Sequence, residues 1–173
     1  MQNAELTTIE LNDGTTMRVR PIQDSDAERL LRFHETLSLE STRLRFFTPH
    51  PVLTSEELKH FTQLDHDDRQ AFVVLDGDEI IAVARYDRIV GTDDAEIAFV
   101  VADQWQRKGI ATALFPLLTA HALANRATCL VAETLAENRG MRMVFIQTGT
   151  AQRPTWDHGV AQTRMPIPGS EPR

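Results

Sequence analysis

The sequence predicts an α/β fold: a mixed, mostly antiparallel sheet with one parallel crossover. Two observations predict it. Between Thr8 and Tyr86, short apolar runs follow one another with tight turns between them, as in antiparallel hairpins. Further along, the apolar strand Glu96–Val101 is followed by the long helix Gly109–Ala124 and the strand Thr128–Glu133. A strand, helix, strand order of this kind is typical of a right-handed crossover between parallel strands.

Turn and capping residues divide the first half of the chain. Asn12-Asp13-Gly14 predicts the turn of a hairpin over Thr8–Ile22, and Asp76-Gly77-Asp78 predicts the turn of a second hairpin. Ser25 and Thr54 each stand three residues before a glutamate, which is the spacing of a capping box, so a helix is expected after each. The remaining predicted elements are the strands Ala71–Leu75 and Ile80–Tyr86 and a short helical turn at Arg43–Phe47.

Proline, asparagine and glycine bound the elements of the second half. Pro116 lies inside the predicted helix Gly109–Ala124 and is expected to disturb its first turns, because proline has no backbone N–H to donate. Asn138 is suited to cap a short helix that ends at Gly149. The last predicted elements are the two strands of a hairpin, Ala151–Trp156 and Val160–Met165.

Length and charge limit the classes of protein to consider. Residues 1–166 are expected to form one domain, and residues 167–173 a disordered tail, since the end of the chain is rich in proline. The net charge of −7, from 18 Lys and Arg against 25 Asp and Glu, disfavours nucleic-acid binding. No apolar stretch reaches the length of a membrane span and the N-terminus has no signal-peptide pattern, so a cytoplasmic protein without a membrane partner is predicted.

Cysteine and histidine content argues against a metal site. The single cysteine, Cys129, excludes an internal disulfide and a site with several thiolates. It lies in an apolar run and is expected to be a buried strand residue. The six histidines show neither HxxxH nor HExxH spacing, so no metal is expected.

The loop between the predicted strand and helix carries the clearest functional signal. The N-terminus of a helix presents unpaired N–H groups and partial positive charge, which suits a phosphate. Gly109 and Ala111 leave the backbone bare for close approach, and Arg107 and Lys108 add two cations. The pattern favours a phosphate-binding loop, with a plain strand-to-helix turn as the alternative.

This loop and its surroundings resemble the Gcn5-related N-acetyltransferases (GNAT). The family's phosphate motif is Arg or Gln, two residues, Gly, one residue, then Gly or Ala. It stands here as Gln106-Arg107-Lys108-Gly109-Ile110-Ala111. Four further runs are similar to bacterial Pat-type protein lysine acetyltransferases: Glu40–Phe46, Asp94–Val101, Val131–Glu133 and Leu135–Met141.

The resemblance implies the GNAT acyl-CoA N-acyltransferase fold, with helices on both faces of the sheet and a central strand pair that splays apart. It implies that acetyl-CoA, the acetyl donor, lies in that gap, with its pantetheine arm along one strand and its pyrophosphate on the loop amides. Asn138 is either a cofactor contact or only a helix cap. The cofactor-binding residues implied in this way are Phe99, Val100, Val101, Gln106, Arg107, Lys108, Gly109, Ile110, Ala111, Thr112 and Asn138.

Glu96 is the expected catalytic base. A lysine amine has a pKa of about 10.4 in water, so attack on a thioester needs a nearby group to take its proton. Glu96 begins the strand that would hold the thioester, and the Pat-type likeness supports this role. The alternative is a solvated charge at the start of a strand. Arg43, Arg45, Phe46 and Phe47 lie where relatives shape the acceptor mouth, although a half-buried amphipathic turn explains them equally well.

One position departs from the family pattern. Many members carry a tyrosine in the last helix that protonates the leaving thiolate, but this chain has Phe145 there. That role cannot be carried over. The only tyrosine, Tyr86, lies on an earlier strand and is expected to pack rather than act as an acid.

The residues and the resemblance together predict an acetyl-CoA-dependent N-acetyltransferase. The expected acceptor is a lysine ε-amine of a cytosolic protein, with acyl-CoA synthetases as the substrates that the Pat-type likeness implies. Two alternatives stay open: a small-molecule amine or amino-acid N-acetyltransferase, and a catalytically silent acyl-CoA-binding module. The protein is expected to be a monomer or a homodimer.

Overall fold

A computed structural model describes residues 6–170, which form one eight-stranded sheet flanked by helices. The strands are β1 (Thr7–Glu10), β2 (Thr16–Pro21), β3 (Arg69–Asp76), β4 (Glu79–Arg88), β5 (Asp94–Val101), β6 (Cys129–Leu135), β7 (Thr155–Asp157) and β8 (Val160–Pro166), and the helices are α1 (Ala27–Glu35), α2 (Leu39–Phe46), α3 (Ser55–Thr62), α4 (Ile110–Ala124) and α5 (Arg139–Gln147).

The sheet has the predicted mixed character. Its strand order is β1-β2-β3-β4-β5-β6-β8-β7. Every neighbouring pair is antiparallel except β5 and β6, which are parallel and are joined through α4. The mostly antiparallel α/β fold with one parallel crossover is therefore confirmed.

Helices cover both faces of the sheet. On one face, Leu114 and Leu118 of α4 and Phe145 of α5 pack against Ile97 and Phe99 of β5. On the other face, α1 and α3 cover the strands from β2 to β5 with residues such as Leu30, Phe33 and Phe61. Burying each of these large side chains stabilises the fold by about 1.5–3 kcal/mol relative to leaving it exposed. Within residues 6–170, no helix has the length and apolar character needed to cross a membrane.

The central strands β5 and β6 separate part-way along their length. They pair only from Asp94 to Ile97 on β5 and from Cys129 to Ala132 on β6. Beyond that point β5 continues on β4 and β6 continues on β8, so each strand keeps its outer neighbour while the gap between them widens. The implied splay is confirmed, and the inner edge of β5 is left facing a cleft.

Tertiary contacts change one of the two predicted capping boxes. At the start of α3, the Thr54 hydroxyl accepts the Glu57 N–H and the Glu57 carboxylate accepts the Thr54 N–H, as predicted. At α1 the predicted pairing of Ser25 with Glu28 is wrong. Asp26 accepts the backbone N–H of Gln23 instead, because its buried carboxylate is held by Arg20 at 2.6 and 2.8 Å.

Two further predictions are corrected by packing. Helix α4 runs unbroken through Pro116, which lies on its exposed side while Leu114 and Leu118 hold the opposite side in the core. The disordered tail is wrong for residues 167–170, because Ile167 is buried and its N–H donates to the Thr128 carbonyl at 2.9 Å. Residues 171–173 of the predicted tail lie outside the described residues.

Candidate active site

A cleft of about 410 Å³ opens where β5 and β6 separate. Its walls come from β5, the loop that follows it, α2, the first turn of α4, and α5. The structure brings to this cleft all the residues implied as cofactor contacts except Lys108: Phe99, Val100, Val101, Gln106, Arg107, Gly109, Ile110, Ala111, Thr112 and Asn138.

Gly109 is required by both conformation and space. Its φ of +89° is in the left-handed region, and a Cβ at this position would lie 2.4 Å from the Oδ1 atom of Asn12. The β1–β2 turn supports the loop at this point, since the Asn12 N–H donates to the Lys108 carbonyl at 3.0 Å. Asn12 therefore belongs to the cleft wall, although its sequence context indicated only a hairpin turn.

The first turn of α4 provides the anion-binding groups. The N–H groups at the start of a helix have no partner within it, and their dipoles sum to roughly half a positive charge. Ile110, Ala111 and Thr112 line the cleft at this end of a 15-residue helix. Together with the Arg107 side chain, these groups fit a pyrophosphate of acetyl-CoA.

Lys108 and Gln106, two of the residues implied as cofactor contacts, also contact other residues of the protein. Lys108 does not line the cleft, but its ammonium lies 4.9 Å from the centre of the ring of Trp105, which does. The Gln106 amide donates to the Ser41 hydroxyl at 3.0 Å and to the Val101 carbonyl at 3.1 Å. Gln106 thus ties α2 to the end of β5 while it also lines the cleft.

Asn138 caps a helix, as one of its two expected roles requires, and its position leaves the other, contact with the cofactor, as a prediction. Its side chain accepts the Met141 N–H at 3.2 Å and so caps α5. It also lines the cleft, facing the loop from the opposite wall.

Glu96 lies beside the cleft, not in its wall. It shares a face of β5 with Ala98 and Val100, and its Cα lies about 6–7 Å along the strand from that of Ala98. Asp87 is its partner on β4 and Val131 its partner on β6, so Glu133 emerges on the same face across the gap. The site therefore holds three carboxylates near the point where the strands part.

The environment of Glu96 raises the pKa of its carboxyl. The residue is exposed, but surrounding protein removes part of its hydration, and this partial burial is the main cause of the rise. The Glu133 carboxylate raises this pKa further, while the Arg45 guanidinium opposes the rise. A carboxylate with a raised pKa is a stronger base, which suits removal of a proton from an amine.

Phe145 and Tyr86 both serve the core. Phe145 is 2% exposed and its ring centre lies 6.3 Å from that of Phe99. Tyr86 is buried, its hydroxyl donates to the Asp67 carbonyl at 2.7 Å, and burial raises its pKa. Cys129 is also buried. Within residues 6–170, no group of three or more His, Cys, Asp or Glu side chains is arranged to hold a metal ion.

Helix α2 supplies wall residues that sequence patterns signalled weakly. Its Ser41, Leu44 and Arg45 line the cleft. The helix is fastened to the end of β5 because Asp103 accepts the Ser38 hydroxyl at 2.6 Å and the Ser41 hydroxyl at 2.9 Å. The Ser-x-x-Ser spacing is an ordinary capping pattern, so only the position of Asp103 reveals the link.

Comparison with known proteins agrees with this geometry. A family model described as an acetyltransferase (GNAT) domain matches residues 16–150. The chain belongs to the GNAT acetyltransferases. It is an enzyme of the family whose acetyl donor is acetyl-CoA.

Individual relatives include Pat proteins. The GNAT domain of S. lividans PAT is 38% identical, with a TM-score of 0.88 over 94% of this chain and 97% of that domain. Acetyltransferase Pat of Mycolicibacterium smegmatis is 28% identical over 166 residues, which are 92% of this chain and 48% of the relative. The chain thus spans about half the length of that curated relative.

A more distant structure shares the fold. A GNAT superfamily phosphinothricin acetyltransferase from Sinorhizobium meliloti, solved in complex with AcCoA, is 16% identical to this chain. Its TM-score is 0.73 over 92% of this chain and 94% of its own.

Proposed function

We propose that this GNAT acetyltransferase transfers the acetyl group of acetyl-CoA directly to a lysine ε-amine of a protein, with an acyl-CoA synthetase as the substrate type. The observation that carries the proposal is the position of Glu96, a carboxylate with a raised pKa at the point where a strand bordering the cofactor cleft meets solvent. The likeness to Pat proteins supports the lysine acceptor.

The cleft orients the donor by contacts at both ends. The first turn of α4 and Arg107 hold the pyrophosphate, and bare Gly109 lets the backbone approach it. The inner edge of β5, left without β6 beyond Ile97, pairs with the amides of the pantetheine arm as an added strand would. Holding the thioester in one position can lower the barrier by several kcal/mol, up to roughly 7–11 kcal/mol in ideal cases.

Glu96 takes the proton that the amine must lose. The lysine nitrogen forms a bond to the acetyl carbon, the carbon–sulfur bond breaks, and the ammonium proton passes to Glu96 directly or through one water molecule. A backbone N–H on the inner edge of β5 donates to the carbonyl oxygen as negative charge develops on it. No covalent acyl-enzyme is needed, since the buried Cys129 lies outside the cleft wall.

The leaving thiolate is protonated without a side-chain acid. Phe145 has no hydroxyl to donate a proton where many relatives have a tyrosine. The hydroxyl of Tyr86 is buried and already donates a hydrogen bond to the Asp67 carbonyl. A thiol pKa of about 8.5 makes coenzyme A a tolerable leaving group near neutral pH, so water can supply the proton.

The carboxylates near the point where β5 and β6 separate suit a cationic acceptor. Glu96 and Glu133 face the same side of the sheet at the gap, and the chain carries a net charge of −7. Lysine ammonium groups on a protein surface are attracted to these carboxylates before one of them is deprotonated.

A catalytically silent acyl-CoA-binding module is the second candidate. Phe145 favours it, because this residue cannot protonate a leaving thiolate.

An assay against a panel of acceptors distinguishes the two candidates. Purified enzyme and acetyl-CoA are incubated with an acyl-CoA synthetase, polyamines, aminoglycosides and free amino acids, and products are read by mass spectrometry. Acetylation of the synthetase lysine supports the proposal. Turnover of a small amine alone, or binding of coenzyme A without any turnover, contradicts it.

A further inference from the structure

A second cavity lies behind the cofactor cleft. It has a volume of about 40 Å³ and is bordered by residues of α1, α2, α3, β4 and β5. Val100 and Arg45 belong to the walls of both spaces, so the cleft and the cavity are neighbours across these two side chains. Most of its wall is apolar, formed by residues such as Leu30, Phe33, Phe46 and Phe61.

The titratable groups in this wall are all basic. His34, Arg45 and Arg85 contribute to it, and no carboxylate among the described residues does. The Arg85 guanidinium is held by the Asp87 carboxylate at 3.1 and 3.2 Å, and His34 lies 2.7 Å from the His50 carbonyl. These two groups already have polar partners.

Arg45 lacks such a partner. It is half-buried, and no carboxylate within residues 6–170 lies within 4.0 Å of its guanidinium nitrogens. Its guanidinium carbon lies 4.9 Å from the centre of the Phe46 ring. Burial and the neighbouring Arg85 lower the pKa of Arg45 to about 10, so it remains charged at neutral pH. The carboxylates of Glu96 and Asp87 favour its charged form from a distance, but neither lies within 4.0 Å to form an ion pair with it. A partly buried cation without a direct ion-pair partner attracts an anion.

The acyl end of the donor lies next to this cavity. A thioester that runs along β5 toward Glu96 passes Val100 and then Ala98. Both side chains face the cavity and share their side of the strand with Glu96. Alanine leaves more room at this point than any other side chain with a Cβ would.

The size of the cavity suits a short extension of the acetyl group. A water molecule needs about 10–15 Å³ of such volume, so 40 Å³ holds roughly three or four heavy atoms. A malonyl group exceeds acetyl by three heavy atoms and a succinyl group by four. A butyryl group also fits, but it would leave Arg45 without an anion.

We propose that this cavity is an acyl-chain subsite that accepts a short dicarboxylic acyl group, malonyl or succinyl, whose terminal carboxylate binds Arg45. The inference rests on the proposed function, because it uses the same cleft and the same transfer. The amine still forms the new bond to the thioester carbon, coenzyme A leaves as the thiol, and Glu96 still takes the amine proton. The terminal carboxylate takes no part in the reaction.

The test measures the binding of four thioesters by calorimetry: acetyl-, butyryl-, malonyl- and succinyl-CoA. In the wild type, malonyl- or succinyl-CoA is expected to bind about tenfold more tightly than butyryl-CoA, the gain from one charge-assisted contact. In Arg45→Gln this ratio is expected to fall to about one. Arg32→Gln removes a similar charge from α1, where Arg32 pairs with Glu79, and should retain the ratio.

Each outcome separates this inference from the proposed function. If all thioesters bind but the wild type has no preference for a dicarboxylic chain, the subsite is disproved and the proposed function stands. The same holds if Arg32→Gln loses the preference as fully as Arg45→Gln. If no thioester binds, both fail. If Arg45→Gln does not fold, Ala98→Leu provides the test. The larger side chain should fill the cavity and abolish the preference for a dicarboxylic acyl chain. A retained preference would disprove the subsite.

Discussion

At the scale of single residues, Glu96 and Gly109 depend on neighbours that are far away in the chain. The pKa of Glu96 is set by its partial burial and by Glu133 across the gap. The space around Gly109 is set by Asn12 from the first hairpin. Substitutions at these two positions test the chemical step and the binding step separately.

Glu96→Gln is expected to lower kcat by about 10²- to 10⁴-fold, because the glutamine amide cannot take the amine proton. The affinity for acetyl-CoA should stay within about twofold of wild type, since Glu96 lies outside the wall of the cofactor cleft. Steady-state kinetics and calorimetry measure the two quantities. Glu28→Gln, an exposed change on α1, is the matched control and should leave both unchanged.

The pH dependence of the reaction follows from the same residue. A base acts only when deprotonated, and the pKa of Glu96 is raised. The rate should therefore fall on the acid side at a higher pH than the usual pKa of about 4.3 for glutamate would give. In Glu96→Gln this acid limb should disappear from a profile of kcat against pH. A variant that keeps the wild-type profile would rule out Glu96 as the base.

Gly109→Ala is expected to weaken acetyl-CoA binding by at least about tenfold. The added Cβ would lie 2.4 Å from Asn12 Oδ1, so the Asn12 side chain must rotate or the phosphate loop must move. Gly91→Ala is the matched control, because its φ is +79° but nothing lies within 4 Å of the added atom. Both variants bear the strain of a positive φ, about 1–2 kcal/mol, and only Gly109→Ala adds the clash.

A second change checks this explanation. In Asn12→Gly with Gly109→Ala, the clashing side chain is gone and binding should recover. If the double variant binds as weakly as Gly109→Ala alone, Asn12 is not the cause of the loss.

At the scale of elements, α4 connects the phosphate loop to the far end of the sheet. Its first turn borders the cleft, while His121 near its end lies 2.9 Å from the Tyr86 hydroxyl and 3.1 Å from the Gln70 amide nitrogen. Tyr86 and Gln70 are buried on β4 and β3, so these contacts lock the C-terminal half of the helix onto the sheet.

The contacts of His121 with Tyr86 and Gln70 predict that the free energy of unfolding decreases at acid pH. Burial lowers the pKa of His121, and the nearby His66 lowers it further. The folded state therefore keeps His121 neutral, and its stabilising effect is complete above the unfolded pKa of about 6.5 and is lost as pH falls through the lower folded pKa. Between pH 7.5 and 5.5 the loss is up to about 1.4 kcal/mol for such a histidine.

His121→Gln tests this contribution by urea denaturation. The variant should be less stable than wild type at pH 7.5 but should lose less free energy of unfolding on going to pH 5.5. His158→Gln is a suitable control, because the His158 side chain is 95% exposed and makes no contact with α4. Equal slopes for His121→Gln and wild type would contradict the assignment.

At the scale of the whole molecule, the cofactor cleft is lined by elements that pack on both faces of the sheet. Residues of β5, α2, α4 and α5 form its walls. The end of β5 is held to α2 because Gln106 and Asp103, which follow the strand, form hydrogen bonds with Ser41. A ligand that fills this cleft contacts elements from both faces of the sheet. It should therefore stabilise the fold as a unit.

Coenzyme A at 100 times its dissociation constant is expected to stabilise the protein by about 2.7 kcal/mol. For a chain of this size that raises Tm by roughly 5–10 °C. A thermal scan with increasing ligand measures the shift. Gly109→Ala should show a smaller shift at the same concentration, and an unchanged Tm for the wild type would contradict the proposed cleft.

Features that are local in the chain could be predicted from the amino-acid sequence. The capping box of Thr54 and the loop from Gln106 to Thr112 follow from residues a few positions apart, and the order of β5, α4 and β6 along the chain predicts their parallel crossover. For the same reason Asn138 could be identified as a helix cap before its contacts were known.

Contacts between residues that are far apart in the chain are defined only in the folded molecule. Arg20 holds Asp26 and so displaces the expected cap, Thr128 holds Ile167 and so orders the expected tail, and Asn12 approaches Gly109. Within residues 6–170, it is likewise only the folded arrangement that leaves Arg45 without a carboxylate at ion-pair distance. Such contacts depend on strand register and on how helices pack across a sheet, and neither is encoded in the spacing of neighbouring residues.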